Sequence, residues 1–110
     1  MSKYPERMSA EPDPDLVRAL RALSNPMRLR LLLWLREPEQ HFSPEDVVEV
    51  GVCVSHIQAK AGLAQSTVSA YMAELERAGL VRSTRVGKWT HYKRDEQRIT
   101  DLVAVLGQTL

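Results

Sequence analysis

Residues 61–81 read AGLAQSTVSAYMAELERAGLV, and their punctuation decides the fold. Val68, Met72 and Leu75 recur at helical spacing and form one apolar stripe, closed off by Gly79. Upstream, a shorter helix capped by Ser55 runs to Ala61 and stops at Gly62. The spacing therefore predicts a helix over 55–61, a turn through Leu63-Ala64-Gln65, and a second helix from about Ser66 to Ala78. Two helices joined by a short turn containing glycine make the helix-turn-helix layout. Ser66, Thr67, Ser69 and Ala70 lie opposite the stripe near the start of the second helix, with Tyr71 at the border. Small polar side chains there let a helix approach a duplex closely, and its first turn offers free N–H groups to phosphates. A plain helical hairpin shares this outline, so the flanking sequence has to decide.

The next segment, LVRSTRV-GK-WTHYKRD, alternates about a tight Gly87-Lys88 turn and reads as a β-hairpin. Residues 77–98 carry seven basic groups and two acidic ones, a net of +5, whereas the remainder has eight basic and twelve acidic, a net of −4. That polarity suits a protein meeting a polyanion with one surface. A helix-turn-helix followed at once by a basic hairpin is a winged helix. The reading helix enters the major groove and the hairpin lies on the backbone or in the adjacent minor groove. Gln65, Ser66, Thr67, Ser69, Ala70 and Tyr71 are the expected groove-facing residues. Arg85, Lys88 and His91 are the expected wing contacts, with Arg82 and Lys93 as weaker candidates.

The rest of the chain supplies the frame. Residues 1–12 are polar, contain two prolines and lack periodicity, so a disordered arm is expected there, with the folded unit spanning 13–110. Asp13-Pro14 and Asn25-Pro26 each place a capping side chain before a proline, which starts a helix. Leu16, Leu20 and Leu23 form the stripe of the first helix. Leu29, Leu32, Leu33 and Leu35 are the expected inward residues of the second, with Trp34 beside them. Ser43-Pro44-Glu45-Asp46 reads as a short helical turn and Val52-Cys53-Val54 as a brief strand. Ile99, Leu102, Val103 and Leu106 make a last helical stripe after an Asp95 cap. The expected class is mainly α with a small hairpin wing, in the order helix, helix, strand, helix, helix, strand, strand, helix.

The stripes of the first and last helices sit at the chain ends. A core drawn from 110 residues with only 5% aromatics has difficulty covering both, so they are expected to pair across a homodimer. Two-fold symmetry would then present two reading helices about 34 Å apart to a palindromic site. One cysteine forms no internal disulfide, no leader pattern is visible, and no apolar run approaches the length of a membrane span. A soluble cytoplasmic protein, with no membrane partner, is expected. An enzyme is not: Cys53 and His56 have no visible orienting carboxylate or oxyanion-binding pattern.

Three stretches, ALRALSNPMRLRLLLWL, AGLAQSTVSAYMAELERAGLV and RVGKWTHYKRD, together resemble the ArsR/SmtB family of bacterial winged-helix repressors, over roughly residues 13–106. The resemblance implies a homodimer joined through the first and last helices. It also implies binding to double-stranded operator DNA, repression of transcription, and release by an inducer. It speaks to the signal as well. Arsenic-sensing members carry C-V-C in the segment matching Val52–Ser55, often with a third cysteine after it. Here Cys53 is kept, but Ser55 and Gln58 occupy the other two places. Zinc-sensing members place Asp and His ligands on the last helix, and DEQRITDLVAVLGQTL has no histidine. No metal and no cofactor are therefore expected.

Cys53 is expected to fill an apolar slot. The open alternatives are a thiol that senses oxidants, or a metal ligand shared with His56. His41 is expected to be solvated.

Overall fold

A computed structural model describes residues 11–110. The expected 1–12 arm thus lies almost wholly outside the described residues. Helix α1 spans Pro14–Leu23 and α2 spans Pro26–Trp34. Both begin as the sequence dictates: Asp13 Oδ1 accepts the Asp15 N–H at 2.9 Å, and Asn25 Oδ1 accepts the Arg28 N–H at 2.9 Å. A connector with two 3-10 turns, Pro38–Gln40 and Pro44–Asp46, leads to strands β1 (Val47–Val48) and β2 (Gly51–Cys53). Helices α3 (Val54–Ala61) and α4 (Gln65–Arg77) follow, then the hairpin β3 (Val81–Val86) and β4 (Trp89–Arg94), then α5 (Glu96–Thr109).

The four strands form one antiparallel sheet in the order β1-β2-β4-β3. Gly51 lets β2 approach β4 closely. Its φ is +113°, and a Cβ there would strike the Tyr92 carbonyl. The predicted strand over 52–54 shifts by one residue, because Val54 is already helical and Cys53 occupies the N-cap position of α3. β1 was not expected, since two residues are too few to show alternation.

Val68, Met72 and Leu75 are fully buried, as the α4 stripe requires, and pack with Ile57, Leu80, Val81, Val52 and Tyr92. Helix α2 departs from expectation. It buries Leu31 and Leu32, with Leu35 buried at its C-cap, whereas Leu29 and Leu33 are exposed. Apolar residues surround this helix on every side, so periodicity alone does not choose the inward face. Helix α1 buries Leu16, Ala19 and Ala22, leaving Leu20 exposed and Leu23 half-buried. Helix α5 buries none of its residues.

Candidate nucleic-acid interface

Helix α4 carries the residues expected to read DNA. With Val68, Met72 and Leu75 turned into the core, Gln65, Ser66 and Ala70 are exposed and Thr67, Ser69 and Tyr71 half-buried. Gln65 is already helical, one residue earlier than the sequence predicts. The N-cap residue is Ala64, which has no side chain able to satisfy the first-turn N–H groups. The positive end of α4 is therefore open to an anion.

Tyr71 is held by a residue that sequence reading missed. The Arg28 guanidinium lies 5.6 Å from the centre of the Tyr71 ring. Its Nε donates to the Ala22 carbonyl at 2.8 Å, and another nitrogen donates to the Arg21 carbonyl at 3.3 Å. Arg28 thus caps the end of α1 and supports the edge of α4 at once. No local signal reports this, because the partners are six to forty-three residues away along the chain.

The fold sorts the basic run of residues 77–98. Arg77 pairs with Glu74 at 2.7 Å and Arg82 with Asp95 at 2.9 Å. Arg94 pairs with Glu96 at 2.9 Å and also donates to the Leu32 carbonyl at 3.4 Å. Lys93 Nζ donates to the Glu49 carbonyl at 3.1 Å. Arg85 and Lys88, at the wing tip, have no carboxylate partner among the described residues. Arg85 Nε instead donates to the Gly87 carbonyl at 3.2 Å, and Lys88 Nζ stands 5.5 Å from the Trp89 ring centre. Arg82 holds the Asp95 carboxyl below its usual range, helped by the Arg98 N–H, and Asp95 in turn raises Arg82. Burial, then the Glu76 charge, raises the Tyr92 hydroxyl.

His91 sits further back. In register it faces Cys53 on β2 and Thr84 on β3, and its Nδ1 is buried without a hydrogen-bond partner among the described residues. Cys53 is buried and its Sγ accepts a hydrogen bond from the Ser55 hydroxyl at 3.3 Å. His56 is turned to another group: its Nε2 lies 3.4 Å from Asp46 Oδ1. Among the described residues, no three His, Cys, Asp or Glu side chains gather into a possible metal site.

Of the residues expected at a dimer contact, Leu16 is buried within its own chain. Leu20 is 42% exposed and Val103 63%. Leu23, Ile99, Leu102 and Leu106 are half-buried.

No family model matches the chain. A Bacillus subtilis (strain 168) protein described as the uncharacterized HTH-type transcriptional regulator YbzH is 46% identical over 93 residues, which is 82% of this chain and 93% of that protein. Among solved structures, the ArsR family transcriptional regulator RHA00566 aligns with a TM-score of 0.64 at 20% identity, covering 98% of this chain and 91% of that one. The chain belongs to the HTH-type transcriptional regulators and has the winged helix-turn-helix fold of ArsR family regulators. It is a DNA-binding regulator and not an enzyme. The ArsR-like fold is also that of Mb0332 from Mycobacterium bovis, described as a homodimeric winged helix-turn-helix DNA-binding domain. It aligns with a TM-score of 0.59 at 25% identity, covering 98% of this chain and 88% of that one. No helix among the described residues is long and apolar enough to cross a membrane.

Proposed function

We propose that this regulator is a cytoplasmic repressor that binds a palindromic operator as a homodimer, with residues 13–110 as its DNA-binding and dimerisation unit. One observation carries the reading: the open, uncapped start of α4 shares the molecule with a wing tip whose two cations have no carboxylate partner among the described residues, while Arg77, Arg82 and Arg94 are paired with carboxylates. Gln65, Ser66, Thr67, Ser69, Ala70 and Tyr71 then face the major groove. Gln65 can pair bidentately with adenine, and the hydroxyls serve several bases. Arg85 and Lys88 lie on phosphates, and His91, further from the tip, is the weaker wing contact.

The dimer rests on α1 and α5. Leu20 and Val103 are exposed, and Leu23, Ile99, Leu102 and Leu106 have apolar surface left to bury, worth about 25 cal/mol per Å². The homodimer described for the mycobacterial fold relative supports this. The experiment is operator capture from genomic fragments, then anisotropy titration of Gln65→Ala and Ser69→Ala. Each should lose about 1–3 kcal/mol of discrimination per base contact. If both keep full sequence preference, this face of α4 is not the reader.

The releasing signal in this reading is not a thiolate-held metal, since each chain offers one thiol where such sites need several soft ligands. Arsenite, zinc and cadmium should leave operator binding unchanged in wild type and Cys53→Ser alike. Release of the wild type alone by any of them at micromolar levels refutes this. The register of Cys53 opposite His91, whose buried Nδ1 has no hydrogen-bond partner among the described residues, favours one second reading, a thiol sensor. Peroxide would oxidise the thiol to a sulfenic acid and be reduced to water. Release of the wild type alone by peroxide would select it.

A further inference from the structure

We propose that the wing tip is an apolar wedge: Val86 and Trp89 enter the minor groove of the operator and part a base step, bending the duplex. This rests on the reading of the wing as a DNA contact. Val86 and Trp89 are the last register pair before the Gly87-Lys88 turn. Directly opposed residues share one face of the hairpin, so the two side chains stand together. They are 49% and 47% exposed, and among the described residues neither packs against the hydrophobic core.

A hairpin tip gains nothing from two large apolar groups left in water. Gly87, at φ +62°, supplies the tight reversal that brings the pair to the very end of the hairpin. The surroundings name the occupant. Arg85 and Lys88 adjoin the pair without carboxylate partners among the described residues, so the patch combines apolar surface with positive charge. A nucleic-acid groove offers the matching combination of phosphates along its rim and apolar sugar and base faces within it. Lys88 lies over the Trp89 ring, close enough for a cation–π contact that holds the ring beside the turn before DNA arrives.

Dimensions turn contact into wedge. The minor groove of B-form DNA is about 6 Å wide, too narrow for a two-stranded ribbon carrying side chains on both faces. Entry therefore requires the groove to open. Apolar side chains inserted at a base step do this by partial unstacking, which kinks the duplex toward the major groove. Trp89 offers the larger face for stacking on a base, and Val86 fills the space beside it.

The test uses an operator duplex with donor and acceptor dyes at its ends and 2-aminopurine at the step beneath the wing. The wild-type dimer should shorten the end-to-end distance and raise 2-aminopurine emission. Trp89→Ala should bind about tenfold more weakly, leave the duplex straighter and abolish the rise in emission, with an unchanged salt slope because no charge is lost. Trp89→Phe should keep most of the bend. Trp89 is exposed, so the variants should melt like wild type. A Trp89→Ala protein that bends the operator and raises emission as wild type does overturns the wedge. So does a change in the sedimentation of the free protein on Trp89→Ala, which would assign the tip to contact between copies. Lys88→Ala separates the two levels. If it leaves the salt slope unchanged, the wing is off the DNA and both readings fall. If it lowers the slope while Trp89→Ala leaves bend and emission intact, only the wedge falls.

Discussion

Pairing within the protein sets which basic residues count in DNA binding, and salt dependence measures it. Log K falls with log salt at a slope of about 0.9 for each phosphate neutralised. Lys88 has no carboxylate partner among the described residues, so in the proposed complex Lys88→Ala should remove one phosphate contact per subunit. A dimer carries two wings, and its slope should fall by about 1.8. Across the fourfold change from about 50 to 200 mM salt, that slope is worth about tenfold in affinity, which is the share Lys88 supplies to the salt sensitivity. Arg94 is the control. Its guanidinium is engaged by Glu96 through two nitrogens, at 2.9 and 3.2 Å, and by the Leu32 carbonyl. Arg94→Gln removes a formal charge that is already compensated, so its slope should match wild type. The assay is fluorescence anisotropy on the operator and on a scrambled duplex at four or more salt concentrations. Both duplexes should lose affinity equally with Lys88→Ala, because phosphate contacts carry no sequence information. Equal slope losses for Arg94→Gln and Lys88→Ala would refute the reasoning, since internal pairing would then not decide which charges meet DNA.

Three further outcomes follow from the fold. Leu75→Ala, at a fully buried position on the α4 stripe, should cost about 2–5 kcal/mol in urea unfolding. Gly51→Ala should destabilise by more than the ~1 kcal/mol of an ordinary loop change, because its φ is +113° and its Cβ meets the Tyr92 carbonyl; melting like wild type would refute the close β2–β4 approach. The Asp95 carboxyl is held low in the folded chain by Arg82 and the Arg98 N–H, so its contribution is present above its unfolded value and fades as pH falls through the folded one. Asp95→Asn should therefore lower stability at neutral pH and flatten its decline below about pH 4, read from thermal melts across that range.

What was legible in the sequence follows from how local the cause is. The caps at Asp13, Asn25 and Asp95 act within two or three residues, and all three form as read. The α4 stripe needs one period to select a face, and Val68, Met72 and Leu75 are indeed inside. The wing register follows from alternation about Gly87-Lys88. Helix α2 failed for the opposite reason, since Leu29, Leu31, Leu32, Leu33 and Leu35 leave no polar face to orient it. At the proposed site, residue types are readable in the sequence but their partners within the fold are not. Cys53 was paired in sequence with His56, three residues on. The sheet instead sets it opposite His91, thirty-eight residues on, because β2 and β4 are neighbours. Arg28 went unremarked because its function depends on Tyr71 and on the end of α1 together.

The basic run shows the same limit in electrostatic form. A net of +5 over residues 77–98 is a property of the chain, whereas a binding surface is a property of what remains unpaired after folding. Asp95 illustrates the difference. It accepts from Arg82 at 2.9 Å and from the Arg98 N–H at 3.0 Å, and its own N–H donates to the Leu80 carbonyl at 3.0 Å. One carboxylate therefore removes Arg82 from the cationic surface, caps α5, and sits in a residue bonded to the strand junction where the wing begins. The root of the wing and the start of α5 are one hydrogen-bonded unit, so a shift of α5 carries the root of the wing with it. Charge that looks redundant in the sequence thus serves two ends. The paired arginines fix where the wing stands relative to α5, and in the proposed complex Arg85 and Lys88 at its tip, without carboxylate partners among the described residues, are left to meet phosphate.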